Sequence, residues 1–229
     1  MEQSDYSYSS LPNDVALKIA SSLEVPDLSS LGSCSRFWRE LCGSDCLWES
    51  LVKERWPFLY AAVLKDPIKS WRGFYIKRHE EKRGQAVSVI KFVERCSESE
   101  SLEVNDYLKA IVCLETMQFG FKDVQMLLFK PKLNVLLNLV GLHYCLNFLQ
   151  VPASHVVESL QSSKISDRQV CVKWWKLGRW FYGFRMRDES HSRCVSLEDL
   201  LTAKDQEVLG VLDRGAIHDV LRVQISFPN

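Results

Sequence analysis

Cysteine and histidine are the residue types in this 229-residue chain best suited to metal or nucleophile chemistry. Eight cysteines stand at positions 34, 42, 46, 96, 113, 145, 171 and 194, with no Cys-x-x-Cys pair among them. The spacing of a zinc ribbon or a thioredoxin-type motif is therefore missing. His191 and Cys194 are spaced like two metal ligands, and His143 lies two residues before Cys145. Structural zinc needs four convergent donors, so no metal is assigned. A Cys171 and His191 nucleophile pair has no activating acid or oxyanion arrangement legible in its spacing. No catalytic residue and no cofactor is expected. The thiols are expected to be free, in a reducing compartment.

The segment from Lys164 to Arg187 is chemically distinct. It carries seven basic residues and one acid, interleaved with Trp174, Trp175, Trp180, Phe181, Tyr182 and Phe184. Aromatic platforms with basic neighbours suit stacking on single-stranded nucleic acid, or contacts to the carboxylates of an acidic peptide. Residues 188–229 carry eight acids and four bases. The plainest reading is a hairpin whose aromatics face a core while its basic side pairs with that acidic segment; a protein-binding surface comes next and nucleic acid last. Aromatic and Arg enrichment is typical of interface hot spots, so Trp175, Arg179, Trp180, Tyr182 and Arg185 are the candidate substrate-binding residues.

The elements that must position these residues follow from composition and periodicity. With 46% apolar and 25% charged residues, the chain has the make-up of a soluble protein with a sizeable core. Lys plus Arg and Asp plus Glu both number 29, which removes the overall basic charge of a whole-molecule nucleic-acid or anionic-membrane binder. No repeat of solenoid or propeller length occurs. Residues 1–9 read as a disordered tail, acidic and Ser/Tyr-rich, without the pattern of a secretory signal. The charge-free stretch from Leu133 to Val157 is long enough to span a membrane, but its asparagines, His143 and Gln150 lie on two opposite sides of a helix. That favours a buried helix packed on both flanks.

Three regions emerge. Residues 10–56 are helical: Pro12 sits in a first turn, Val15, Ile19 and Leu23 form one stripe, and Pro26-Asp27 ends one helix and caps the next. Leu28, Leu31 and Cys34 line the second helix; Phe37, Trp38 and Leu41 continue the pattern; Leu47, Trp48, Leu51 and Val52 follow the break at Gly43-Ser44-Asp45. Residues 57–165 are also helical, with Ala86, Val89, Ile90 and Val93 forming a face after Gly84, and Val104, Leu108, Ile111 and Val112 another. Pro131 and Pro152 are placed to open helices, and the cluster Arg72, Lys77, Arg78, Lys82, Arg83 reads as a solvated helix face. In residues 166–229 the period changes to two: a strand from Gln169, a turn at Leu177-Gly178, a second strand over Arg179–Arg187, a helix within Leu197–Leu212 and a last strand over Leu221–Phe227. The fold class is therefore α+β, with a small C-terminal antiparallel sheet packed on helices.

The first region resembles an F-box, and the chain as a whole the small plant-type F-box proteins. The likeness runs through Leu11-Pro12, Asp14-Val15, Ile19, Leu23, Asp27-Leu28, Leu31, Cys34-Ser35-Arg36, Trp38-Arg39, Leu41 and Leu47-Trp48; Ser70 to Tyr75 is similar to the helix that often follows. Ser29-Ser30 is polar where the family is often apolar, and Cys34 stands where Val is common.

The resemblance implies a three-helix module that docks on the Skp-type adaptor of a cullin-RING (SCF) ubiquitin ligase, with the rest of the chain holding a protein substrate and no catalytic residues of its own. Its adaptor-binding residues would be Leu11, Pro12, Val15, Ile19, Leu28, Leu31, Cys34, Trp38, Leu41 and Trp48. Partners would be the adaptor and, through it, cullin and RING subunits, with an unknown substrate and no membrane, in the nucleus or cytoplasm. Two alternatives stand beside this: a binding module for single-stranded nucleic acid or peptide centred on the aromatic hairpin, and an F-box protein in a cullin-free adaptor complex.

Overall fold

The computed structural model describes residues 11–23, 25–63, 68–98, 100–202, 206–217 and 219–227. The expected tail at 1–9 and part of the expected 197–212 helix lie outside the described residues. The chain divides into two compact units, 1–80 and 81–229.

The first unit is a cluster of short helices: α1 (Asn13–Ser21), α2 (Val25–Cys34), α3 (Arg36–Gly43), α4 (Asp45–Arg55), α5 (Pro57–Val63) and the beginning of α6 (Trp71–Cys96). Pro12 precedes α1 in an extended conformation (φ −53°, ψ 137°), so the proline is the cap residue and not part of the first turn. Helix α2 starts at Val25, which places Asp27 inside its first turn, where a carboxylate favours the helix dipole, and not at the cap. A single residue, Ser35, separates α2 from α3; its Oγ accepts the Trp38 N–H at 3.2 Å, satisfying one of the unpaired amides of the new helix. The core holds Ala20, Leu28, Leu47, Trp48, Leu51, Val52, Trp56 and Tyr75. Trp48 packs edge-on against Tyr75 (centroids 5.4 Å), and its Nε1–H donates to the Cys42 carbonyl at 2.8 Å. Arg55 is buried with them, donating to the Tyr75 hydroxyl at 2.7 Å and lying 4.5 Å over the Trp56 ring.

The second unit contains the remainder of α6, then β1 (Ser101–Glu103), α7 (Val104–Thr116), α8 (Phe121–Leu127), α9 (Val135–Asn147), α10 (Ala153–Ser162), β2 (Gln169–Lys176), β3 (Trp180–Phe181), β4 (Phe184–Arg185), β5 (Glu189–Ser196), a 3₁₀ turn at Asp199–Leu201, α11 (Gln206–Arg214) and β6 (Val220–Ser226). The main sheet is antiparallel in the order β1-β6-β2-β5. Alternation sends Val170, Val172 and Trp174 of β2, with Val223 and Ile225 of β6 and Leu102 of β1, into the core with the helices. This is the expected α+β class with a small antiparallel sheet.

Several local expectations are corrected. Helix α6 runs unbroken through Gly84, because one glycine costs only about 1 kcal/mol in a helix whose face is otherwise buried. Pro131 lies in the turn before α9, which instead begins after Asn134, whose side chain accepts the Leu136 N–H at 2.8 Å. Val112 is 50% exposed, and Tyr107 and Leu114 take its place on the buried side of α7. The region expected to be helical also contains a strand, β1, three residues long. The segment 179–187 is not the partner of β2; that partner is β5, in a register that sets Cys171 opposite Cys194. These two cysteines are joined in a disulfide, against the expectation of free thiols.

Helix α9 is buried along nearly its whole length, and its polar groups are paired on both flanks. Asn138 donates to the Leu128 carbonyl at 2.6 Å and accepts from Arg168 at 2.5 Å. On the other flank His143 meets the Tyr107 hydroxyl through Nδ1 at 2.7 Å and Asp213 through Nε2 at 2.5 Å. Burial, reinforced by the Asp213 charge, holds the Tyr107 hydroxyl well above its usual range. Burial works against ionised Asp213, but its hydrogen bonds and charge contacts with His143, Asn147 and Arg214 prevail and keep the carboxyl below its usual range. No helix among the described residues is long and apolar enough to cross a membrane.

Candidate docking surfaces

Helix α1 is amphipathic in an unusual sense. Its small residues, Ala16 and Ala20, are the fully buried ones, while Val15 and Ile19 are 46% and 41% exposed and Leu11, just before the helix, is 38% exposed. Spacing of four residues places Leu11, Val15 and Ile19 along one side, with exposed Pro12 at the head of the strip. The alanines let α1 lie close to its neighbours, and the larger side chains are left facing water.

The other expected adaptor-binding residues divide. Cys34 is exposed at the end of α2. Leu31 and Leu41 are half-buried against the unit's core, and Trp38 is half-buried with its ring edge-on to Phe37 at 5.3 Å. Leu28 and Trp48 are 1% and 3% exposed, so they support the unit from inside and offer no surface of their own. Two features had no place in the sequence reading. Phe58 on α5 is 92% exposed. A cleft of about 240 Å³ opens between α2 and α3, floored by Leu28, Cys42 and Trp48 and rimmed by Arg39 and Arg72. Neither arginine has an ion-pair partner among the described residues, and Arg72 lies 5.8 Å over the Trp48 ring. Burial raises the Cys42 thiol while the Arg72 charge pulls it back. The cleft could accept a side chain that ends in a carboxylate.

In the second unit the expected substrate residues fall in two places. Trp175 is half-buried on the outer face of the main sheet, between Lys173 Nζ at 4.9 Å and Arg222 at 5.3 Å; Arg222 in turn pairs with Glu103. Arg179, Trp180, Tyr182 and Arg185 all belong to the insertion between β2 and β5, where β3 and β4 form a separate two-stranded hairpin. The expectation that the aromatics face the core holds for Trp174, which is fully buried and stacks on His191 at 5.4 Å. It fails beyond Lys176: Trp180, Phe181, Tyr182, Phe184 and Met186 are between 58% and 88% exposed.

The hairpin is held at its base. The Gly178 N–H donates to Asp188 Oδ1 at 2.9 Å, Arg185 donates to the same oxygen at 3.0 Å, and the Met186 N–H donates to the Arg179 carbonyl at 2.9 Å. The Gly178 amide, with Arg185, lowers the Asp188 carboxyl below its usual range. A Cβ at position 178 would stand 2.0 Å from the Met186 carbonyl oxygen, so only glycine fits there. The tip turns through Tyr182 and Gly183, both at positive φ (48° and 81°), as a two-residue hairpin of this twist requires. Across the ladder Trp180 faces Arg185 and Phe181 faces Phe184.

No group of three or more His, Cys, Asp or Glu side chains placed to hold a metal occurs among the described residues. In comparison with known families, residues 8–54 match the family described as F-box-like. No curated protein and no solved structure matches the chain.

Proposed function

We propose, from the premise that this chain is an F-box protein, that its first unit docks on a Skp-type adaptor and its second unit presents a protein substrate to the ubiquitin ligase assembled on that adaptor. The single observation that carries the docking step is the strip Leu11, Val15 and Ile19, left exposed by a helix that buries its alanines instead. A small helical unit leaves part of its apolar surface uncovered, and such a strip fits the groove of a helical partner. The cleft rimmed by Arg39 and Arg72 offers a polar contact beside apolar ones.

In this reading the chain supplies no catalytic residue. It raises the effective concentration of a substrate lysine near a thioester-charged conjugating enzyme, and rate follows from proximity. The adaptor links the chain to cullin and RING subunits, in the nucleus or cytoplasm. The test is co-expression with a Skp-type adaptor followed by size-exclusion chromatography. A one-to-one complex that is lost when Leu11 and Pro12 become alanine supports the reading; a folded chain that elutes alone refutes it.

A further inference from the structure

The β3–β4 hairpin exposes five large apolar side chains within seven residues, Trp180 to Met186. A hairpin of two residues per strand gains little stability from its own ladder. Here Asp188 and the glycine at 178 clamp its base, so the aromatic residues are held in water in a defined arrangement. An apolar patch kept exposed in this way is characteristic of an interface.

Charge identifies the partner. Arg179 and Arg187 have no ion-pair partner among the described residues, and Arg185, already on Asp188, is set directly opposite Trp180. Guanidinium groups among aromatic rings suit carboxylates presented on a chain that also carries apolar side chains. Insertion into lipid would have to bury Arg185 at the level of Trp180. Single-stranded nucleic acid needs a positively charged groove that tracks many phosphates, which a short hairpin with two uncommitted arginines does not provide.

We infer that this hairpin is the substrate-gripping element of the second unit and that its ligand is an acidic protein segment bearing apolar side chains. The inference rests on the reading of this unit as the substrate-holding part.

It is tested with the full chain, immobilised and exposed to a phage-displayed library of short random peptides, and in parallel to an oligothymidine and to vesicles of phosphatidylcholine mixed with phosphatidylserine. The expected result is enrichment of peptides that combine Asp or Glu with apolar residues. Their binding should fall at least about tenfold for the pair Trp180→Ala and Phe184→Ala and, independently, for the pair Arg179→Glu and Arg187→Glu. These side chains are exposed, and circular dichroism of each variant checks that the fold is retained. Enrichment of sequences without acids, no enrichment, unchanged binding by both folded variants, or displacement of peptide by oligothymidine or vesicles would overturn it. Adaptor binding measured on the same preparations separates the two readings: its absence in the wild type sinks the docking proposal and leaves the peptide result standing.

Discussion

Replacing Leu11, Val15 and Ile19 together by alanine removes the exposed strip of α1 without touching its buried side, Ala16 and Ala20. Full burial of such a side chain is worth about 1.5–3 kcal/mol. Each of the three is about two-fifths exposed. Covering what remains is therefore worth about 0.6–1.3 kcal/mol apiece, or about 2–4 kcal/mol for the set. The triple variant should bind a Skp-type adaptor about 30-fold to about 1,000-fold more weakly, since each 1.4 kcal/mol is about a factor of ten. Isothermal calorimetry gives the affinity, and thermal melting checks that the variant folds; its melting point should fall, because the covered part of each side chain is lost as well, although alanine favours the helix at positions 15 and 19. Leu28→Ala is the contrast: this side chain is 1% exposed, so its loss should cost about 2–5 kcal/mol of stability in the first unit. Wild-type affinity in a folded triple variant would refute the reasoning.

Three further outcomes follow from the second unit. Lys82 is fully buried and donates to the carbonyls of Met117 and Gln118 at the end of α7, the negative end of that helix; Lys82→Ala should lower stability by about 2–4 kcal/mol in urea unfolding. The Asp213 carboxyl lies below its usual range in the folded chain, so its stabilising contribution is complete above the unfolded value of about 3.9 and is lost as pH falls below that; melting of the wild type against Asp213→Asn should converge below about pH 4 and diverge above it. The Cys171–Cys194 disulfide closes a loop of sequence separation 23, so Cys194→Ser should cost about 3 kcal/mol, and alkylation without reductant should leave both cysteines unmodified.

Periodicity alone carried the parts of the fold where one face meets one core. The four-residue spacing of Val15, Ile19 and Leu23 marks α1, and strict alternation over Val170 to Trp175 marks β2. What it left open was which side of α1 is buried, because stripe and core look alike until Ala16 and Ala20 are seen to be covered. The second strand was misplaced because Arg179–Arg187 is as strand-like as β5; only pairing reveals that it folds on itself. The disulfide was hidden for the same reason, since Cys171 and Cys194 become neighbours only through the β2–β5 register. Lys82 sits among Lys77, Arg78 and Arg83 and reads as surface; its burial depends on carbonyls 35 and 36 residues away.

Hydrogen exchange of the full chain with and without a Skp-type adaptor tests the docking claim most directly, because it reports both complex formation and its location. The account predicts slowed exchange in residues 13–21 and little change in residues 177–188. Protection confined to the hairpin, or no protection anywhere in a folded chain, would contradict it.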